Sequence, residues 1–256
     1  IREHKAERFF GWEYFAAPHE PYYTRYDDMP KATLTDRYVQ ELRYMDEAFG
    51  VLEKTLRDEG LLEKTIVVFV ADHGEELEEH GGKGHKTLHG ECTNVPMVVR
   101  IPGVSGGDKV AVTSTLYVLP WLLQRGSEPL RAAAERRMRE DIGPMMRATD
   151  GAVVVELVSY DKMSTALVYS DKKIIYNFIA DAAVAFDLTA DPTEQRDLML
   201  SDPASAQGLL DAVQAYRQVR RGMRRYTLDP TKRPDHSKVK RAKREAKQAE
   251  EPADEP

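Results

Sequence analysis

The chain has 256 residues, enough for one or two domains with a sizeable core. Its formal net charge of −6 argues against binding along a nucleic-acid backbone, which needs a surplus of Lys and Arg on one surface. The single cysteine, Cys92, excludes an intrachain disulfide and a cysteine-rich zinc site, and no apolar run approaches the ~20 residues that span a bilayer. The first residues lack the apolar core and the initiator Met of a signal peptide, so we expect the chain to begin within a longer protein.

Hydrophobic periodicity predicts an α/β arrangement in the first part of the chain. Apolar residues at steps of three and four predict a helix over 35–60, with Thr33 or Thr35 as its cap. Two apolar runs, 66–70, which is continuous, and 97–101, which contains Arg100, predict strands buried on both faces of a mainly parallel sheet. The segment between them, 71–95, is rich in Gly, His and Glu and too long for a tight turn, which is typical of a functional loop. Short helices are expected over 116–124 and 130–141.

The pattern changes from Gly151 onward. Four short apolar segments separated by turn residues predict a small antiparallel sheet: 152–158, 165–170, 173–179 and 183–188. A helix is expected from Pro203 to about Arg225, and beyond residue 229 the chain has too few large apolar residues to fold. We therefore divide the chain into a catalytic part, a small α+β subdomain and a disordered charged tail, over 1–147, 148–226 and 227–256. Basic residues in the tail lack an apolar face, which favours a solvated segment over a membrane-surface helix.

The loop after the first strand concentrates side chains that can bind metals and transfer protons. Four of the seven histidines lie there, namely His73, His80, His85 and His89. Asp72 and His73 follow the strand directly, so that a carboxylate and an imidazole can point at one cation, and Gly74 lets the backbone turn. Clustering alone leaves open a polar surface loop that is merely rich in histidine.

Several motifs, in order, resemble the sulfatase family of the alkaline-phosphatase superfamily. The matching segments are Pro18-His19-Glu20-Pro21-Tyr22, the helix from Tyr38 to Gly50 with Asp46, Asp72-His73-Gly74-Glu75, Gly84-His85, Val95-Pro96 through Pro102-Gly103, and Asp187-Leu188 with Asp191-Pro192-Thr193-Glu194 and Asp197-Leu198. The resemblance covers 9–226. It implies part of an alkaline-phosphatase-like, mainly parallel sheet flanked by helices, followed by a small antiparallel sheet and a C-terminal helix. The chain departs from the family at Tyr14, Ala17 and Tyr117, where relatives often carry His, Asp and Asp.

The resemblance also implies roles for individual residues. Asp72 and His73 would bind one divalent metal ion, which is Ca²⁺ in a typical sulfatase, whereas the nitrogen ligand of His73 shifts the preference toward Mn²⁺ or Zn²⁺. His85 would protonate the leaving alcohol or bind a nonbridging oxygen, with Lys86 as a second candidate. His19 would contact the same group from the other side.

Other polar residues of the loop are expected to be structural. Glu75 and Glu76 are interpreted as caps or solvated charges rather than catalytic acids. His80 and His89 are expected to pack rather than react, and His89 stands where relatives carry Tyr.

The nucleophile of the family is missing from this chain. In sulfatases, the Cys or Ser of a Cys/Ser-x-Pro-x-Arg motif is converted to formylglycine, which is the nucleophile. This motif normally precedes the region present here. Cys92 is not in such a motif. Ser127-x-Pro129-x-Arg131 matches the motif but comes after the Asp72 segment, the wrong order for the family, and relatives carry Gly and Pro at that place for structural reasons. We therefore expect part of a site, and little activity from the isolated chain.

Three functions are compatible with these residues. The first is metal-dependent hydrolysis of a small-molecule or glycan sulfate ester, without a nucleic-acid partner. The second is a phosphodiesterase or a phosphoethanolamine-type phosphoryl transferase of the same fold. The third is a non-catalytic remnant or binding module. Membrane attachment and cellular location depend on residues before Ile1 and stay open.

Overall fold

The computed structural model describes residues 1–23, 33–107, 113–158 and 163–222. The expected charged tail lies outside these residues. Within them, no helix is both long and apolar enough to cross a membrane.

The longest helix, α1, spans Leu34–Asp58 and confirms the predicted helix. Its start is fixed by a capping box, in which the Thr33 hydroxyl accepts from the Asp36 amide and the Asp36 carboxylate accepts from the Thr33 amide. The predicted apolar stripe is turned inward, since each of its members is buried or half-buried. Those members are Tyr38, Leu42, Met45, Phe49, Leu52 and Leu56.

The two predicted strands are present as β1, Val67–Val70, and β4, Met97–Arg100. They pair antiparallel with each other, so the part of the chain described here does not show the expected parallel pairing. The expectation that both faces are buried was wrong for the described chain, because the side chains of Val98 and Val99 are 61% and 40% exposed. A single turn of 3-10 helix, Leu62–Lys64, connects α1 to β1.

The segment between β1 and β4, residues 71–96, is called the site loop below. It contains a small hairpin formed by β2, Glu76–Leu77, and β3, Lys83–Gly84, followed by the one-turn helix α2, Gly90–Thr93. After β4 the chain forms a helical segment that agrees with the two predicted helices. Its parts are a 3-10 turn at Thr115–Tyr117, α3 at Val118–Leu123, α4 at Glu128–Arg137, a π-helical turn at Met138–Ile142 and α5 at Gly143–Ala148.

The small antiparallel sheet is also confirmed. It has four strands in sequential order: β5 at Val153–Val158, β6 at Met163–Val168, β7 at Lys172–Asn177 and β8 at Ala182–Asp187. Two helices follow, α6 at Leu198–Ser201 and α7 at Pro203–Gly222. One face of the sheet, including Leu167, Ile174 and Ala185, packs on α7 through Leu209 and Val213. This core holds the C-terminal region together, while the boundary near residue 148 stays a prediction.

Candidate functional site

The site loop begins where β1 ends, and a close backbone contact fixes its course. The Gly74 amide donates to the Cys92 carbonyl at 2.9 Å, which ties the start of the loop to α2. A Cβ atom on Gly74 would lie 1.9 Å from the Glu91 carbonyl oxygen, so no other residue fits without moving the backbone. Gly74 is therefore required by this close approach, rather than by the sharp turn that the sequence suggested.

Three histidines that the sequence singled out lie together at the start of the site loop and beside it. The rings of His73 and His85 stack with centroids 4.0 Å apart, and the His19 ring lies 5.6 Å from that of His85. Each Nδ1 faces an acceptor: the Gly74 carbonyl for His73 at 3.0 Å, Glu75 Oε1 for His85 at 3.0 Å, and the Glu20 carbonyl for His19 at 2.6 Å. Because carbonyl and carboxylate oxygens only accept, each Nδ1 carries a proton, and each Nε2 is left for a ligand or substrate.

Glu75 is a central member of this cluster, and its assignment as a cap or solvated charge was wrong. The residue is 8% exposed, and its two carboxylate oxygens accept from His85 Nδ1 and from the Tyr22 hydroxyl. Burial raises the pKa of Tyr22, as do the hydrogen bond and the charge of Glu75, so Tyr22 stays a donor at neutral pH. Glu75 thus joins the segment around His19 to the site loop.

The donor set of the cluster fits a divalent cation. His73, Glu75 and His85 each place one ligand atom within 4.8 Å of the others. Asp72 Oδ2 lies 3.8 Å from His73 Nε2, and the Asp72 side chain is 78% exposed. A histidine that donates Nδ1–H to a backbone carbonyl and keeps Nε2 free has the tautomer that metal ligation requires, and His73 has this arrangement. The predicted ligand Asp72 lies beside this group, with Oδ1 accepting from the His73 amide at 3.1 Å, and its assignment as a metal ligand with His73 stays a prediction.

A cleft of about 1550 Å³ lies next to the cluster, and Asp72, His73 and His85 line it. His19 lines a smaller neighbouring pocket of about 380 Å³. Lys86 is exposed and, unlike His85, is not part of the lining of either pocket in the described chain. Ser127 is the residue before α4, and Pro129 lies in the first turn of this helix. The Ser-x-Pro-x-Arg sequence is therefore explained as the start of a helix.

The remaining loop residues have structural contacts. Glu76 is 1% exposed and accepts from the Gly82 amide and the Thr87 hydroxyl, so it is a buried brace of the hairpin and not a solvated charge. His80 and His89 stack with centroids 3.7 Å apart and planes at 8°, as the interpretation of both as packing residues required.

Comparison with known proteins agrees with the motifs. A family model described as Sulfatase matches residues 1–125. Choline-sulfatase of Rhizobium meliloti (strain 1021) is 27% identical over 164 residues, which cover 63% of this chain and 32% of that enzyme. Arylsulfatase K of Gallus gallus is 26% identical over 209 residues, or 73% of this chain and 39% of that enzyme. The chain thus spans about a third to two fifths of the length of these curated relatives.

Solved structures show the same fold. BT4656, determined in complex with its substrate D-glucosamine-2-N,6-O-disulfate, has a TM-score of 0.55 and 21% identity, covering 78% of this chain and 43% of that one. The phosphonate monoester hydrolase of Agrobacterium radiobacter has a TM-score of 0.52 and 18% identity, covering 72% and 41%. Neighbours named for sulfate and for phosphonate chemistry therefore share this architecture.

Proposed function

The chain belongs to the sulfatase family, and on this premise we propose that the full-length protein hydrolyses sulfate esters in a metal-dependent reaction. One observation carries the proposal: His73, Glu75 and His85 converge at the end of β1, beside a cleft, with His19 close by. The substrate class is a small-molecule or glycan sulfate ester. This chain supplies part of the site, and the nucleophile comes from outside it.

His85 is the proton donor for the leaving group in this proposal. Its Nδ1 lies 3.0 Å from Glu75 Oε1, and this hydrogen bond orients the ring. As the bond between sulfur and the ester oxygen breaks, Nε2 gives its proton to that oxygen. His19 bonds to the Glu20 carbonyl through Nδ1, which leaves its Nε2 for the substrate. In this proposal it contacts the sulfate from the side of the smaller pocket. Lys86 is a weaker candidate, because it is exposed and does not line the cleft that His85 lines.

Asp72 and His73 would hold the divalent ion. When bound, such an ion supplies positive charge that neutralises an oxygen of the ester group and lowers the pKa of a nucleophile. The mixed oxygen and nitrogen donors are compatible with Mn²⁺ or Zn²⁺ as well as with the Ca²⁺ of a typical sulfatase.

The full-length protein, stripped of metal with a chelator, tests the proposal. Turnover of 4-nitrophenyl sulfate should appear only after Ca²⁺, Mn²⁺ or Zn²⁺ is restored. Asp72→Ala should abolish metal binding measured by elemental analysis, and His85→Ala should reduce turnover by about 10²–10⁴-fold. His4→Ala, at an exposed histidine of the N-terminal 3-10 turn Arg2–His4, is the matched control and should change neither.

Two alternatives predict different results from the same assay. A phosphodiesterase or phosphoethanolamine-type transferase would prefer bis(4-nitrophenyl) phosphate over the aryl sulfate. A remnant or binding module would turn over neither substrate with any of the three ions. Either outcome would refute sulfate-ester hydrolysis as the function.

A further inference from the structure

A buried charge cluster connects the C-terminal sheet to the site loop. Its members are Lys173 on β7, Glu194 in the turn after β8, and His80, His89 and Thr93 in the site loop. Lys173 and Glu194 form an ion pair at 2.9 Å, and their side chains are only 1% and 3% exposed. Long charged side chains are rarely buried this completely unless they are paired, because their removal from water opposes folding.

Strand alternation explains why Lys173 points at the site loop. Successive residues of a strand face opposite sides, and Ile174 lies in the core under α7. Lys173 therefore lies on the other face, beside its cross-strand neighbour Phe186, whose ring is 5.6 Å from that of His89. Lys173 Nζ also donates to the Thr93 hydroxyl at 3.2 Å. At Lys173 and Phe186, the second face of the sheet thus contacts the site loop.

Glu194 contacts both sides of the segment that carries His85. Its Oε2 accepts from His89 Nδ1 at 2.9 Å, and its backbone carbonyl lies 3.1 Å from His80 Nε2. His80 precedes His85 in the sequence, and His89 follows it. Because the rings of His80 and His89 stack on each other, both ends of the segment lie together against Glu194. His80 Nδ1 lies 3.4 Å from a carboxylate oxygen of Glu91, which adds a charged neighbour to the same end.

The backbone of Glu194 shows that this placement is specific. Its φ is +57°, in the left-handed region that a residue with a long side chain rarely adopts. Such a conformation persists only where the surroundings hold it. Here the Glu194 side chain contacts Lys173 and His89, its carbonyl contacts His80, and its amide donates to the Asp191 carbonyl. Burial would raise the pKa of Glu194, but His89 and Lys173 lower it, so the carboxylate is charged at neutral pH.

We propose that Glu194 is a positioning residue for the sulfatase reaction, acting from the C-terminal subdomain to hold the 80–89 segment and thereby the aim of His85. The proposal rests on the proposed function for its kinetic readout, but its structural readout is independent. It makes the C-terminal subdomain a working part of the site. The chemistry of the metal and the nucleophile is not affected by it.

Two variants of the full-length protein separate positioning from general destabilisation. Glu194→Gln keeps the size of the side chain and removes its charge. Leu209→Ala opens the core on the opposite face of the sheet, away from the site loop, and serves as the control for lost stability. Both are assayed well below their melting temperatures, with aryl sulfates whose phenol leaving groups differ in pKa, and by hydrogen–deuterium exchange of residues 78–93.

Glu194→Gln should lower kcat by about ten- to a hundredfold, as a displaced catalytic group does, with a smaller change in KM. The loss should grow as the leaving group becomes poorer, because His85 supplies the proton. Exchange of residues 78–93 should rise in Glu194→Gln and stay unchanged in Leu209→Ala, which should retain kcat. Equal losses of kcat in both variants, or unchanged exchange in Glu194→Gln, would overturn the proposal. If the wild-type protein hydrolyses no sulfate ester, the proposed function fails and the exchange result alone decides whether Glu194 anchors the segment.

Discussion

Replacing Lys173 by Met measures how much stability depends on its ion pair with Glu194. The charged atoms are 2.9 Å apart, and at an effective dielectric constant of about 20 they attract by roughly 6 kcal/mol. The cost of taking both charges out of water offsets most of this attraction, so the net value of the pair is small. Because Lys173→Met leaves the Glu194 carboxylate buried without its counter-charge, we expect this variant to lower the free energy of unfolding by about 3–5 kcal/mol.

A double-mutant cycle makes the prediction specific to the pair. Glu194→Gln alone should also destabilise, but the double variant should lose clearly less than the sum of the single losses, since it buries no unpaired charge. Urea denaturation followed by far-UV circular dichroism gives the three values, provided that the slopes agree. Lys54→Met is the control, because its pair with Asp58 is exposed, at 73% and 49%, and should be worth less than about 1 kcal/mol. Additive losses at positions 173 and 194 would refute the reasoning.

The pH dependence of this stability has a defined sign. The pKa of Glu194 is lowered in the folded protein, against an ordinary value near 4.3. The stability that it contributes is therefore fully present above about pH 4.3 and is lost as pH falls through the folded pKa. Within the described chain, the titratable side chains that face Glu194 or its partners include His80, His89, Glu91, Cys92 and Lys173. The coupling between positions 173 and 194 should accordingly persist at pH 5.5 and vanish in acid, and a coupling that disappears already between pH 8 and 6 would contradict this assignment.

Three further changes test local features. Thr33→Ala should cost about 1 kcal/mol of unfolding free energy in urea titrations, because the capping box with Asp36 is lost, whereas Thr33→Ser should cost little. Cys92 is 4% exposed and burial raises its pKa, so iodoacetamide should modify it much more slowly in native protein than in urea; equal rates would show that it is accessible. Tyr216→Phe should cost about 1 kcal/mol, because the buried hydroxyl donates to Glu156 at 3.0 Å; an unchanged urea midpoint would show that this bond contributes nothing.

The fold could be predicted where its cause is local. The helix α1 follows from apolar spacing and the Thr33 cap, and the four strands of the C-terminal sheet follow from short apolar segments and turns. The direction of pairing between β1 and β4 could not be predicted, because strand composition carries no information on which neighbour a strand takes. Their exposure was misjudged as well, because a run of apolar residues favours burial but does not show which element covers it.

The site could be predicted in part. The sequence places His73 and His85 in one loop, and the resemblance to sulfatases adds His19, which the structure brings to within 5.6 Å of the His85 ring. Glu75 was missed because its partners lie 10 and 53 residues away, and no local pattern distinguishes a buried glutamate from a solvated one. The adjacent motif offered one signal: Tyr22 ends the Pro-His-x-Pro-Tyr segment, and a tyrosine hydroxyl brought to the site needs an acceptor.

The contacts of Lys173 tie the C-terminal sheet to the site loop. In an antiparallel sheet covered on one face, alternation would place this lysine in solvent, where it would need no partner. Here α7 covers one face and the site loop contacts the other at Lys173, so the charge of this lysine is met inside the protein. Glu194 meets it from an unfavourable backbone conformation and, with the same carboxylate, holds His89. On the proposal made for Glu194, a substitution that moves β7 relative to the site loop is transmitted to the segment carrying His85.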